Sequence, residues 1–431
     1  MAVDVHEHEA VATAPIGTHA SSSERPLAAP PKCIPAPESY QIEDLRQSEC
    51  ALILFARNIL TSDRVVIKIL REYKDTRYSL ETVGKRQQCQ LEALKRNRVF
   101  TPEVYIGLAC IDYLELPQGC FSIEEIIKSS TSGSINLLGL EQGHFSINEI
   151  IVNPTQEMLD RDAEYALIMH QLSEERCLDH LLSEKSEDIL KDHMHYLSKY
   201  VAHMHTNLVM PLASVEEEMQ WGSYEQLHSK LLHNLGLLDL VLTTGKLDQY
   251  CTLDLLQATL HWLKKTLLQV FTEIHYRSYF EQRVWEQRIK RCHGDLKSPN
   301  IWILPPDQSC HGEPEDCVKI LDAIDFNPSY NNIDTLSDFA MLVIDVQTRT
   351  KSHTLADKMV EDYLELTDQN NQVARSVLAY YLVEKAIVSA IVSIAYDGLP
   401  DLGWAFLEVA EMRLNCIADM KHEQLLLCSV T

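Results

Sequence analysis

The chain has 431 residues, 45% of them hydrophobic, and its 38 basic and 63 acidic side chains give a formal charge of −25 at pH 7. That length holds one bilobal protein or two ordinary domains, with a large core in either case. The charge argues against nonspecific nucleic-acid binding, because polyphosphate recognition needs a basic surface, and it favours a cationic or neutral ligand.

Residues 1–40 hold six of the sixteen prolines, with Ala, Ser and His between them and little periodic apolar content. Such a segment cannot bury enough surface to offset its ordering entropy, so it reads as a disordered leader. From Cys50 the pattern changes. Ala51 to Phe55 and Arg64 to Leu70 are short β-rich runs separated by Thr61-Ser62-Asp63, which predicts a hairpin. Residues 77–99 are charged with recurrent apolar positions and predict a helix ending before Thr101-Pro102, after which Glu103 to Tyr113 returns to strand character.

Gln118 to Ile127 and Gln142 to Ile151 are near copies 24 residues apart, inside a probable insertion near 114–156. A solenoid needs about three units to stack, so the echo reads as a local duplication forming paired elements at a lobe edge. Ala163 to Leu172 predicts a strand that runs into the polar link Ser173-Glu174-Glu175. Residues 177–290 are helical by period, residues 291–326 interrupt the helices, and 335–424 resume them. The order gives an α+β fold in three parts: a leader over 1–40, a small β-rich lobe over 41–172, and a large mainly helical lobe over 173–431.

Twelve cysteines without a CxxC pair, and the lack of a basic-then-apolar N-terminal signal, point to reduced thiols in a cytoplasm. The best apolar stretch, Val377 to Ala395, is broken by Glu384 and Lys385, which argues against a membrane span.

The interruption of the helices carries the chemistry. It reads Cys292-His293-Gly294-Asp295-Leu296-Lys297-Ser298-Pro299-Asn300-Ile301, followed by Lys319-Ile320-Leu321-Asp322-Ala323-Ile324-Asp325-Phe326. Asp295, beside a His-Gly turn, can accept a substrate hydroxyl proton, and Asn300, five residues on, can reach a divalent metal from the same loop. A further carboxylate, Asp325 or Asp322, arrives from the far arm of a hairpin to bridge metal and phosphates. Residues at odd offsets on a strand face opposite sides, so this spacing predicts that only one of the two meets the metal.

The pattern HGDxxxxN with a later apolar-Asp-Phe resembles the aminoglycoside phosphotransferase family, whose fold is protein-kinase-like. Arg291 to Leu296, Asp325-Phe326-Asn327 and Ile333 to Ala340 are most similar to the bacterial branch in which such a domain is often fused to a P-loop kinase. No GxxxxGK[ST] occurs here, so the resemblance, over roughly residues 45–425, concerns the first activity alone.

The resemblance implies ATP and Mg²⁺ as cofactors and a small hydroxylated molecule as acceptor, with no nucleic-acid or membrane partner and nothing implied about oligomeric state. Asp325 is the first candidate for the metal carboxylate through its Asp-Phe pair. Asp322 is the second, because close relatives show Glu at the position of Asp325 and Asp at that of Asp322. His293 would hold the catalytic loop by its backbone rather than act as a base, and Asp338 would buttress that loop. Val65-Val66-Ile67-Lys68 resembles the third kinase strand, whose Lys holds the α- and β-phosphates. Its partner on the following helix would be Glu92, with Glu81 second, and Met169, Gln171 and Leu172 would meet the adenine at the hinge.

One departure stands out: no glycine occurs from Thr18 to Val83, so nucleotide contact there must use other residues, with Ala56 to Ser62 as candidates. This motivates a rival reading, a catalytically silent kinase-like binding or regulatory module. A zinc site from Cys292, His293, Cys310, His311 and Cys317 has irregular spacing and is disfavoured. His203 and His205 read as ordinary helix residues. Glu216-Glu217-Glu218 could attract an aminosugar cation, although such a run is usually a solvated face.

Overall fold

The computed structural model describes residues 38–48, 50–74, 79–116, 119–123, 127, 143–160, 162–243, 245–250, 252–305 and 317–428. Most of the leader, the stretch between the two echoed segments, and Cys310 and His311 lie outside the described residues.

Nine strands form one antiparallel sheet in the order β6-β5-β7-β1-β2-β3-β9-β4-β8. They are β1 (Glu38–Gln47), β2 (Ala51–Asn58), β3 (Arg64–Leu70), β4 (Tyr105–Cys110), β5 (Tyr113–Leu116), β6 (Gly119–Ser122), β7 (His144–Ile147), β8 (Ile150–Ile151) and β9 (Tyr165–His170). The predicted β2–β3 hairpin is present, with Ile53 opposite Lys68 and Ala51 opposite Leu70. Strand β1 begins inside the stretch read as leader; its polar residues hid it.

The period-2 alternation of β2 and β3 sorts their side chains cleanly. Leu52, Leu54, Ala56, Val65, Ile67 and Ile69 are buried on one face with Tyr40, Ile42 and Phe145. Ile53, Phe55, Val66 and Lys68 lie half-buried on the other. The echoed segments place β6 and β7 on either side of β5, and their equivalent residues Ile123 and Ile147 share one core.

Helix α1 (Val83–Phe100) packs on the Lys68 face of the sheet through Leu91 and Leu94, which meet Leu108 and Leu167. Thr82 caps it by accepting from the Lys85 amide, so it starts six residues later than predicted from 77. It stops at Thr101, before Pro102, which cannot extend a helix.

Beyond Gln171 the chain is helical: α2 (Leu178–Glu184), α3 (Glu187–His203), α4 (Val215–Gly222), α5 (Tyr224–Thr243), α6 (Leu253–Phe271), α7 (Ile274–Trp285), α8 (Pro328–Asn331), α9 (Thr335–Thr350), α10 (His353–Leu366), α11 (Gln372–Ile391) and α12 (Pro400–Cys428). Helix α9 is buried from Thr335 to Thr348 and forms the axis on which α10, α11 and α12 pack. Residues 372–396 are long and apolar enough to cross a membrane, but 67% of that stretch is buried within the helical part, as a core helix would be. Two small antiparallel pairs carry the functional loop: β10 (Ile289–Arg291) with β13 (Asn332–Asp334), and β11 (Ile301–Ile303) with β12 (Val318–Ile320). The architecture is the expected α+β arrangement of a β-rich part and a larger helical part.

Candidate active site

The loop from His293 to Asn300 hangs from buried carboxylates on α9. Asp338 accepts from the backbone amides of His293 (3.0 Å) and Gly294 (2.8 Å), and Asp345 accepts from that of Ser298 (2.7 Å). Burial opposes the Asp338 charge, yet the hydrogen bond from His205 helps hold its carboxyl below the usual range. His205 is anchored in turn by the Tyr363 hydroxyl at 2.7 Å. It therefore belongs to the support of the loop, contrary to its reading as an ordinary helix residue. Cys292, His205 and Asp338 lie close enough for a metal, but the Asp338 oxygens are engaged by amides and His205, and the Cys292 thiol donates to the Ile333 carbonyl.

Gly294 has φ +89°, and a Cβ there would sit 2.6 Å from the Tyr330 carbonyl oxygen. Only glycine fits this turn. His293 is buried, with Nε2 2.9 Å from the Leu321 carbonyl and Nδ1 3.3 Å from the Asp295 amide that donates to it. Burial lowers its pKa, so the ring is neutral and stitches the loop to the segment carrying Asp322.

At the centre, Asn300 spends both amide protons on Asp295, one on the backbone oxygen (2.9 Å) and one on Oδ2 (3.0 Å). This leaves Asn300 Oδ1 as the atom it can offer a cation. The same Asp295 Oδ2 is 3.0 Å from Lys297 Nζ. Burial opposes the Lys297 charge, but Asp295 first, then Asp397 and Asp322, outweigh it and raise its pKa. Sequence reasoning missed Lys297, although a Lys two residues after the candidate base was its visible signal.

Asp322 follows the end of β12 in a left-handed conformation, φ +61°, which Asp tolerates better than most residues. Strand parity therefore fails there, and both carboxylates turn toward Lys68. Lys68 Nζ pairs with Asp322 Oδ1 at 2.9 Å. The two shift each other: Asp322 raises the Lys68 pKa, and Lys68 lowers that of Asp322. Asp325 is more enclosed, and burial pushes its pKa up to about 6. Of the two candidates, Asp322 is the one set opposite Lys68.

The sheet side holds the Asp322 segment firmly. Thr101 Oγ1 both donates to and accepts from the Ile320 backbone, Asn97 Oδ1 accepts from the Ala323 amide (2.8 Å), and the Tyr105 hydroxyl accepts from the Asp322 amide (3.0 Å).

The expected Lys68–Glu92 pair is not formed. With Leu91 and Leu94 buried, the helical phase turns Glu92 outward, where it pairs with Lys95. Glu81 pairs with Lys74 and Lys85 instead. The α1 residue beside Lys68 is Gln90, which donates to the Lys68 carbonyl at 2.8 Å.

The residues suggested for phosphate contact, Ala56 to Ser62, are also displaced from the site. Lys68 is level with Ile53 and Arg46, at the end of the sheet closed by the β1–β2 turn Ser48–Cys50, whereas 59–63 closes the opposite end. That turn is sealed on itself: the Ser48 amide donates to the Ala51 carbonyl, and the Ala51 amide to Ser48 Oγ.

At the hinge, Met169 and Leu172 are half-buried against the α1 core. The Gln171 amide already donates to the Arg64 carbonyl (3.1 Å). Next to it lies a cavity of about 250 Å³ lined by Asp44, Arg46, Phe55, Arg64, Gln171 and Glu174. Arg46 spans it, its guanidinium 4.6 Å from the Phe55 ring centre and paired with Glu174.

The acidic run on α4 is largely structural. Ser214 accepts from the Glu217 amide while Glu217 accepts from that of Ala213, a reciprocal cap, and Glu218 is buried.

No family model matches the chain, and no curated protein matches it. Among solved structures it is similar to an ethanolamine kinase of Plasmodium vivax at 9% identity and TM-score 0.41, over 86% of this chain and 80% of that one. It is similar to a choline kinase from Cryptosporidium parvum at 10% identity and TM-score 0.45, over 90% of each chain. A third is the GDP complex of wild-type aminoglycoside 2'-phosphotransferase-IIIa, at 10% identity and TM-score 0.40, over 88% of this chain and 93% of that one. Likeness at this level concerns chain path, and the chemistry rests on this chain's own residues.

Proposed function

We propose that this protein is an ATP- and Mg²⁺-dependent phosphotransferase that moves the γ-phosphoryl group of ATP onto a hydroxyl of a small molecule. The observation that carries the reading is Lys297: it pairs with Asp295 at 3.0 Å and its charge is also supported by Asp322. The candidate base and the candidate metal carboxylate thus answer to one cation.

Asp322 and Asn300 Oδ1 fit magnesium, a hard ion that takes carboxylate and amide oxygens together with phosphates and waters. When bound, the ion supplies neutralisation of charge on the phosphates. Lys68 and Lys297 supply the remaining positive charge from the sheet and the loop. Asp295, oriented through Oδ2 by Asn300 and Lys297, accepts the acceptor's hydroxyl proton as the new O–P bond forms and the bond to ADP breaks. Catalysis then rests on positioning and preorganised charge.

The sealed, glycine-free β1–β2 turn supports a second reading, a silent kinase-like binding module, because few of its amides can turn to phosphates. Coupled ADP release across sugars, amino sugars and amino alcohols separates the two. Mg²⁺-dependent turnover that vanishes in Asp295→Ala supports the enzyme. Silence across the panel, with no ATP-induced rise in melting temperature, defeats the enzyme reading.

A further inference from the structure

Near the acceptor side of the site, two lysines share one carboxylate. Lys230 on α5 donates to the Ser329 carbonyl at 2.8 Å, and one turn on, Asn234 donates to Glu384 Oε1 at 2.8 Å. Glu384 on α11 is 8% exposed and pairs through Oε2 with Lys385 at 3.1 Å. The charged groups felt by Lys230 are Lys385, which repels it, and Glu384, which attracts it. Two ammoniums against one carboxylate leave a net positive pocket in a chain whose formal charge is −25.

Its position ties it to the catalytic loop. Ser329 precedes Tyr330, whose carbonyl oxygen packs against Gly294. Summing these steps with ordinary backbone dimensions puts the Lys230 ammonium within roughly 10 Å of Gly294, and so beside Asp295. The exposed Tyr330 ring stacks edge-on against Phe326 in the same segment.

We infer that the acceptor carries an anionic group, a carboxylate or a phosphate monoester, held between Lys230 and Lys385 while its hydroxyl meets Asp295. This rests on the phosphotransferase reading and narrows its substrate class. It reverses what the overall acidity suggests, because the excess of negative charge lies elsewhere on the chain. A purely structural role is the competing account: Glu384 ties α5 to α11 through Asn234. A structural tie needs only one cation, however, whereas a second one held half-buried beside it is destabilised unless an anion arrives. Burial, with repulsion from Lys385 second, lowers the Lys230 pKa to about 8, in keeping with a cation short of partners.

The test compares matched acceptors: glycerol 3-phosphate and glycerate against glycerol and ethanolamine, and glucose 6-phosphate and gluconate against glucose and glucosamine. ADP release is expected to favour the anionic members, the phosphate and carboxylate arms telling which group is preferred. Lys385→Met is expected to raise KM for the preferred anion roughly 10- to 100-fold, as loss of a charged hydrogen bond does, and to leave kcat and the neutral acceptors nearly unchanged. Equal losses for anionic and neutral acceptors, or a preference for the amines, overturn the inference.

A second measurement does not depend on turnover. Amine-labelling mass spectrometry on the full chain should show Lys230 and Lys385 protected by glycerol 3-phosphate and not by glycerol. Lack of protection overturns the inference even where ATP binds. Failure of the broader reading looks different: neither ATP-induced stabilisation nor ADP release with any acceptor.

Discussion

Lys68 and Asp322 stand 2.9 Å apart across a separation of 254 residues, one on the third strand of the sheet and the other just past a hairpin set in the helical part. This contact distinguishes Asp322 from Asp325 as the group facing the phosphates. Asp322→Asn is expected to lower kcat/KM by roughly 10³-fold or more, the scale of a transition-state charge-stabilising group, and to raise the Mg²⁺ needed for half-maximal rate. Asp325→Asn should cost much less at saturating Mg²⁺. Titrating Mg²⁺ against turnover in both variants checks the assignment, and the reverse ranking would return the metal to Asp325.

Asp295 and Lys297 share one carboxylate oxygen with Asn300, and their roles separate by measurement. Asp295→Asn should leave the ATP-induced rise in melting temperature intact while lowering kcat roughly 10²- to 10⁴-fold, the range of a lost general base. Lys297→Met should weaken nucleotide stabilisation as well, since its ammonium faces the cleft beside Asp322. A Lys297 variant with unchanged ATP affinity would reduce this lysine to a holder of the loop.

Much of this was legible in the sequence, and the failures have local causes. The β2–β3 alternation, the His-Gly-Asp loop and the run of helices could be read because each depends on periodicity or on contiguous residues. The choice between Asp322 and Asp325 could not, because parity on β12 ends at Ile320 and the left-handed Asp322 turns both carboxylates to one side. Glu92 failed through helical phase: one of α1's polar residues had to lie next to Lys68, and the packing of Leu91 and Leu94 selected Gln90. The supports Asp345, His205, Asn97, Thr101 and Tyr105 come from distant segments, and no local pattern joins them to the loop they hold.

Gly294→Ala tests whether loop geometry is as strict as its surroundings imply. The added Cβ would press on the Tyr330 carbonyl at 2.6 Å from a residue at φ +89°. The variant is expected to lose roughly 1–3 kcal/mol of stability, as strained positive-φ substitutions do, and most of its turnover. Gly84→Ala is the control: nothing lies within 4 Å of its Cβ on α1, so it should fold at least as stably as the parent. Equal behaviour of the two in urea unfolding would show that the turn can relax.

Glu218 offers a pH-dependent prediction away from the chemistry. It is fully buried on α4 beneath β10, its carboxylate oxygens lack side-chain partners, and burial pushes its pKa up to about 7. The charges around it, Lys290 pulling the pKa down and Asp334 pushing it up, do not undo that shift. An unfolded Glu titrates near about 4.3. Between that value and about 7 the folded chain keeps a proton that the unfolded chain has released, so stability falls as pH rises through this window and levels off above it. Glu218→Gln removes the titration while keeping shape. It should match the parent near the acid end of the window and exceed it above pH 7 by roughly 1–3 kcal/mol, the usual cost of an unsatisfied buried group. Urea unfolding midpoints across the window check this; a variant less stable than the parent above pH 7 would mean that the Glu218 carboxylate is charged in the fold and held by the Ile289 amide or Lys290.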